Sequence, residues 1–179
     1  MRTRMIAGAG AATLLVLAAV PLTAASGDTN TTFTVTSGLL SISSPSSKAL
    51  GAGGPNGTIT SQLGAVTVSD ARGALNGSWT AAVSTTDFTT GGGTAAETIP
   101  KANVSYWSGL ATASSGIGVF TPGQATAANA QALGVTRTAF SATAVIGNNS
   151  VTWNPTIVVN VPAAAVAGDY AGVITHSVS

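Results

Sequence analysis

Acid–base or hydrolytic chemistry needs a nucleophile beside a base, a pair of facing carboxylates, or a cluster of metal ligands. This chain offers few residues from which to build any of these. Beyond position 25 its acidic side chains and imidazole are Asp28, Asp70, Asp87, Glu97, Asp169 and His176, and no two stand at a spacing that matches a catalytic or calcium-binding loop. His176 is the single histidine and there is no cysteine, so a histidine cluster or thiolate site cannot form, and neither metal nor cofactor is expected. Gly91-Gly92-Gly93 is not followed by the Lys-Ser/Thr pair and helix of a phosphate-binding loop, which leaves it as a loop. The expectation is a non-enzymatic protein that binds.

Binding then falls to aromatic and polar side chains. Aromatic residues make up 5% of the chain, so Trp79, Trp107 and Trp153 carry weight. Burying one Trp removes roughly 150–250 Å² from water, at most about 4–6 kcal/mol. A domain with a net stability of about 5–15 kcal/mol cannot leave all three outside. Trp79 and Trp153 sit within or beside alternating apolar runs and are the core candidates. Trp107, next to Tyr106 and followed by Ser108-Gly109, is the candidate for an exposed stacking platform. The candidate ligand-binding residues are therefore Tyr106 and Trp107, with Trp79 as a core anchor first and a contact second.

These residues must be positioned by strands. Around Leu63–Phe88, Val66 and Val68 alternate with Thr and Ser, as do Trp79, Ala81 and Val83, giving two half-buried strands. Asp70-Ala71-Arg72-Gly73 and Asn76-Gly77 between them read as turn chemistry, either a long hairpin or a crossing between sheets. Similar alternation marks Phe33/Val35, Leu40/Ile42, Val104/Tyr106, Phe140/Ala142/Ala144, Val151/Trp153, Ile157/Val159/Val161 and Tyr170–Val178. Ser44–Gly57, Thr89–Ala96, Gly109–Gly118 and Ala163–Gly168 read as loops, Gly147-Asn148-Asn149 as a turn, and Ala-rich Gln124–Leu133 as a helical turn or two. Short strands between turn clusters, without an amphipathic helix, predict an all-β fold: a single-domain β-sandwich of Ig-like or Greek-key type.

The chain opens with Arg2 and Arg4, an uncharged apolar run Ile6–Val20, and small residues to Ser26, the order of a secretory signal peptide cleaved after Ala25. The run is shorter than a membrane span needs. The predicted organisation is thus a signal peptide over 1–25 and a β-sandwich domain over 26–179, secreted, with no membrane span after cleavage. The mature segment keeps four basic residues against five acidic ones, a net charge of −1, and only 6% of the whole chain is charged. So few charges exclude steering toward nucleic acid.

Leu63-Gly64-Ala65-Val66-Thr67-Val68-Ser69-Asp70-Ala71-Arg72-Gly73, Gly77-Ser78-Trp79-Thr80-Ala81, Val159-Asn160-Val161-Pro162 and Ala167-Gly168-Asp169-Tyr170-Ala171-Gly172-Val173-Ile174-Thr175 occur in this order. Together they resemble the WxL-type cell-wall-binding domain of Gram-positive surface proteins, as a divergent, actinobacterial-like member. The first of the family's two Trp-x-Leu motifs reads Trp79-Thr80-Ala81, and the second reads His176-Ser177-Val178. The resemblance implies a cell-surface protein held non-covalently on peptidoglycan or an associated wall polysaccharide, often with other surface proteins. The rival expectation is a structural or adhesive surface protein that docks to another protein by a strand edge or by loops.

Overall fold

The structure is a computed structural model and describes residues 29–179; the expected signal peptide lies outside the described residues. The chain divides into a unit ending at Thr34 and a compact unit, Val35–Ser179, that holds every described strand. Of the first unit, residues 29–34 are described; they form no strand and are exposed. The strand expected at Phe33 and Val35 does not form, and these side chains are 90% and 82% exposed. Alternation makes a strand only where a neighbour accepts it, and the first backbone pairing comes later, at Gly38 and Leu39 with Ala71.

Eleven strands follow: β1 Leu40–Ser43, β2 Thr58–Gln62, β3 Val66–Thr85, β4 Phe88–Thr89, β5 Thr98–Ile99, β6 Val104–Trp107, β7 Ala111–Pro122, β8 Gln131–Ala132, β9 Arg137–Trp153, β10 Thr156–Asn160 and β11 Ile174–Val178. The larger sheet runs β1-β3-β9-β7, with β11 also on β3; the second runs β2-β10-β6-β8; β4 and β5 pair by themselves. All pairings are antiparallel. Apart from that small ribbon, successive strands alternate between the two main sheets, so no strand neighbours its successor in either. The inward faces of both sheets contribute to one core, with Val66, Val68, Trp79, Phe140 and Trp153 from the larger and Val104, Tyr106, Ile157 and Val159 from the smaller. The all-β sandwich read from the sequence is the architecture found.

The central segment departs from expectation. Val66–Thr85 is one strand of 20 residues, and its partner β9 is one of 17. The turn residues sit opposite one another inside this ribbon: Asp70 faces Asn149, and Ala74 faces Gly147. Three register shifts fall between Asp70 and Trp79. Gly73, Asn76 and Gly147 have φ of 64°, 60° and 70°, which Gly and Asn adopt at little cost. Such residues close a hairpin where the chain turns back and make a bulge where a partner strand continues alongside. The bulges preserve burial: β3 points Val66, Val68 and Asp70 inward before the bend and Trp79, Ala81 and Val83 after it, a change from even to odd positions.

A buried polar network holds the bend. Asp70, 2% exposed, accepts from the Arg72 backbone at 3.1 Å, Arg72 Nε at 2.8 Å and Arg72 Nη2 at 3.0 Å. Asn149 donates to Asp70 Oδ2 at 3.1 Å and accepts from Trp79 Nε1 at 2.9 Å. Arg72 also donates to the Ser78 carbonyl at 2.9 Å, across the bend. The Arg72 guanidinium is the largest influence holding the Asp70 carboxyl down at about 2. Asn149→Ala strands two buried partners at once, the Trp79 N–H and one Asp70 oxygen, and is expected to cost about 2–4 kcal/mol. Urea unfolding measures this; a loss below about 0.5 kcal/mol would show that the bend stands without the network.

Candidate functional site

The sequence-derived candidates do not gather into one surface. Tyr106 and Trp107 are neighbours on β6, where successive side chains point to opposite faces, and the burial pattern follows: Tyr106 fully buried, Trp107 partly exposed. Trp79 lies in the other sheet and is 2% exposed. Of the three, only Trp107 offers ring surface to solvent. Trp153 joins the core as its alternation implies, stacked on Phe140 with ring centroids 5.0 Å apart. Of the helical turn or two expected over Gln124–Leu133, a single 3-10 turn forms at Ala127–Asn129, and Gln131-Ala132 pairs with β6. Gly109–Gly118 is mostly strand β7.

The described titratable residues have local structural partners in most cases. Asp87 accepts the Lys101 backbone N–H at 2.7 Å, and Glu97 accepts from the Thr94 N–H and hydroxyl at 3.0 and 2.8 Å. These bonds hold the Glu97 carboxyl below its ordinary range, with the Thr94 backbone foremost. Among the described residues no three His, Cys, Asp or Glu side chains come together as metal ligands. His176 belongs to a cluster that joins the sheets: Trp153 Nε1 donates to the Tyr106 oxygen at 3.0 Å, and that hydroxyl lies 3.3 Å from His176 Nε2. The Tyr106 hydroxyl and His176 Nε2 share one hydrogen bond whose donor is set by the imidazole tautomer, and the ring's other nitrogen is Nδ1. That nitrogen is buried without a partner. Burial pushes the Tyr106 hydroxyl up and His176 down to about 4.

The concave surface of the molecule is built by loops. Ser44–Gly57 and the segment from Val161 to Val173 face each other across a groove of about 700 Å³. They are tied at the base, where Asn56 N–H donates to the Val161 carbonyl at 3.1 Å and Val161 N–H to Gly57 at 2.9 Å. Ile59 of β2, Val159 of β10, Val161, Ile99 and Phe88 provide an apolar floor and Leu50 closes one wall; Ser46, Ser47, Lys48 and Asp169 add polar groups. A smaller pocket of about 160 Å³ continues under the first loop and shares Lys48, Leu50 and Phe88.

Ala167–Gly172 forms the opposite wall through close backbone approaches. Ala171 exchanges two hydrogen bonds with Thr89, both 2.9 Å. The Tyr170 hydroxyl reaches the carbonyls of Val166 at 2.9 Å and Ala96 at 3.2 Å. A Cβ on Gly172 would stand 2.8 Å from the Phe88 ring, so a side chain there would force the wall off the core. Tyr170 and Gly172, expected on the last strand, therefore belong to this wall, and β11 begins only at Ile174. The sequence marks Ser44–Gly57 and Ala163–Gly168 as loops, but only part of the second wall is read that way; the Ala167–Thr175 block is the signal that includes the groove residue Asp169.

A second exposed feature lies on the outer face of the larger sheet. Leu75, Ile146 and Ile117 stand in register across β3, β9 and β7, and are 84%, 48% and 63% exposed, with Val119 beside them at 59%. No protein-family profile, curated protein or solved structure matches the chain.

The His176 cluster sets a pH dependence. The imidazole falls from 6.5 in the unfolded chain to about 4 in the fold, so the folded state disfavours its proton. Stability is fully present above 6.5 and falls as pH drops from there to about 4, by on the order of 3 kcal/mol. The Asp70 contribution is lost only below 3.8. His176→Gln keeps an acceptor for Tyr106 and removes the titration; its denaturant midpoint should hold level over the range where the parent protein weakens. An unchanged decline in this variant would assign the effect elsewhere.

Proposed function

We propose that this protein is a secreted, non-catalytic surface module that associates non-covalently with the bacterial cell wall, with the groove between Ser44–Gly57 and Val161–Val173 as its contact site. The observation that carries the reading is the groove itself: about 700 Å³, an apolar floor, and a rim of hydroxyls and backbone groups with two charges of opposite sign. That volume and mixture suit a segment of neutral polymer. The near absence of charge elsewhere argues against an anionic polymer held by counter-ions. The resemblance to WxL-type domains points the same way, and its Ala167–Thr175 block supplies one groove wall. Purified protein should co-sediment with peptidoglycan sacculi across a salt series. Ala167→Trp, which fills the groove from an exposed position, should leave it in the supernatant while its unfolding midpoint is unchanged. Soluble parent protein under all conditions would sink the wall reading.

The Leu75–Ile146–Ile117 row favours a second reading, in which the protein assembles with a second copy of itself through the outer face of the larger sheet. The chain carries no charge between Lys101 and Arg137 or between Arg137 and Asp169. Two copies of β7 and of the part of β9 beyond Arg137 would therefore meet without like-charge repulsion. Strand-edge pairing through β7 is less favoured, because register shifts at Ser115–Val119 bend the edge away from a flat partner. Sedimentation velocity should show concentration-dependent dimers that Ile117→Lys abolishes; a monomer at all concentrations would remove this reading.

A further inference from the structure

The groove's charges indicate which part of a wall polymer it holds. Eight charged side chains are described. Five have partners: Asp70 with Arg72, Asp87 with the Lys101 N–H, Glu97 with Thr94, and Arg137 with the Ala132 carbonyl at 3.0 Å. The charged ends of Lys48, Lys101 and Asp169 make no hydrogen bond or ion pair among the described residues, and two of these three line one groove. Lys48 lies on one wall and Asp169 on the other, without pairing to each other. The backbone is also open, since Lys48–Gly53 makes no backbone hydrogen bond within the described residues, leaving donors and acceptors along one wall for an extended chain.

Sugar rings are held by open aromatic faces, and the groove has no fully exposed ring. Trp79, Trp153 and Tyr106 are in the core, and Trp107, partly exposed on β6, does not line the groove; of the groove's own rings, Phe88 is 8% exposed beneath Gly172 and Tyr170 is half-buried with its hydroxyl tied to Val166 and Ala96. What the groove offers is a carboxylate, an ammonium, unpaired peptide groups and small aliphatic pockets at Leu50, Ile59 and Val159. Building on the wall reading above, we infer that the groove binds the peptide part of peptidoglycan, a short zwitterionic peptide of small aliphatic residues, rather than its glycan strand. Asp169 receives the ligand's ammonium and Lys48 its carboxylate. The aliphatic side chains rest on the floor, and the ligand backbone runs beside Ala49–Gly53.

The test titrates the purified protein with a synthetic stem tetrapeptide (L-Ala, D-isoglutamate, L-Lys, D-Ala) and with a chitin tetrasaccharide, read by amide chemical shifts. In parallel, co-sedimentation compares intact sacculi with sacculi whose peptides have been removed by an amidase. The expected result is saturable shifts of Ala49–Gly53 and Ala167–Gly172 with the peptide and none with the sugar, together with loss of sedimentation on the bare glycan. Lys48→Gln and Asp169→Asn should each weaken the peptide by about tenfold or more with an unchanged fold. No groove shift at millimolar peptide overturns the inference. If the protein then still sediments with intact and with bare glycan, the wall reading survives and only the peptide assignment falls; if it sediments with neither, both fall.

Discussion

The fold depends on a carboxylate that is out of water at the bend of its longest strand. Asp70 lies where β3 changes from presenting even to presenting odd positions inward, and it is 2% exposed. An unpaired charge there would cost several kcal/mol. Arg72, two residues on, forks onto it, and Asn149 ties it to β9 and to the Trp79 indole. The network spans both sides of the bend, which lets one strand pair with β1 before it and β11 after it. Because β2 of the other sheet lies between β1 and β3, and β10 between β9 and β11, a failure at the bend would be felt in both layers. The long-range pairing this topology requires also makes it a slow-folding arrangement.

Scarcity of charge organises the rest. Most of the described charged groups stabilise loops or bends, and the two sheets meet through an apolar core with neutral polar contacts within it, such as Trp153–Tyr106–His176. This distribution makes Lys48 and Asp169 stand out, since a charged pair on facing walls of a groove does nothing visible for the fold. A protein with an ordinary density of surface charge would offer no such contrast.

Alternation made the sandwich legible, because half-buried strands must place apolar residues at every second position: Val66/Val68, Trp79/Ala81/Val83 and Ile157/Val159 all behave so. It failed in two instructive ways. At Phe33/Val35 the pattern is present but the partner is not. At β7, Ala-Thr-Ala-Ser-Ser-Gly has no apolar face because an exposed edge strand needs none, and the ladder to β9 alone defines it. Turn residues were legible as places where the backbone changes course, but not as bulges, since Asn-Gly and Gly-Asn-Asn carry the same φ preference in either role. The groove was less legible still. Its walls are loops far apart in sequence, joined by backbone bonds such as Asn56–Val161 and Ala171–Thr89, and backbone bonds leave no residue signature.

The blocks that resemble WxL-type domains occupy distinct places in the structure. Ser69–Gly73 and Trp79 belong to the bend network. His176 points to the core side of β11 with Ile174 and Val178, 6.3 Å from the Trp153 ring centroid. Its Nδ1 is buried without a partner, so this polar ring carries a desolvation cost inside the sandwich. The Ala167–Gly172 block, by contrast, places Gly172 where it must clear Phe88 and holds Asp169 on the groove wall. Substitutions at Trp79 or His176 would therefore fall on stability, while substitutions in Ala167–Gly172 would fall on the groove surface, so the two sets of residues separate the fold from the face it presents.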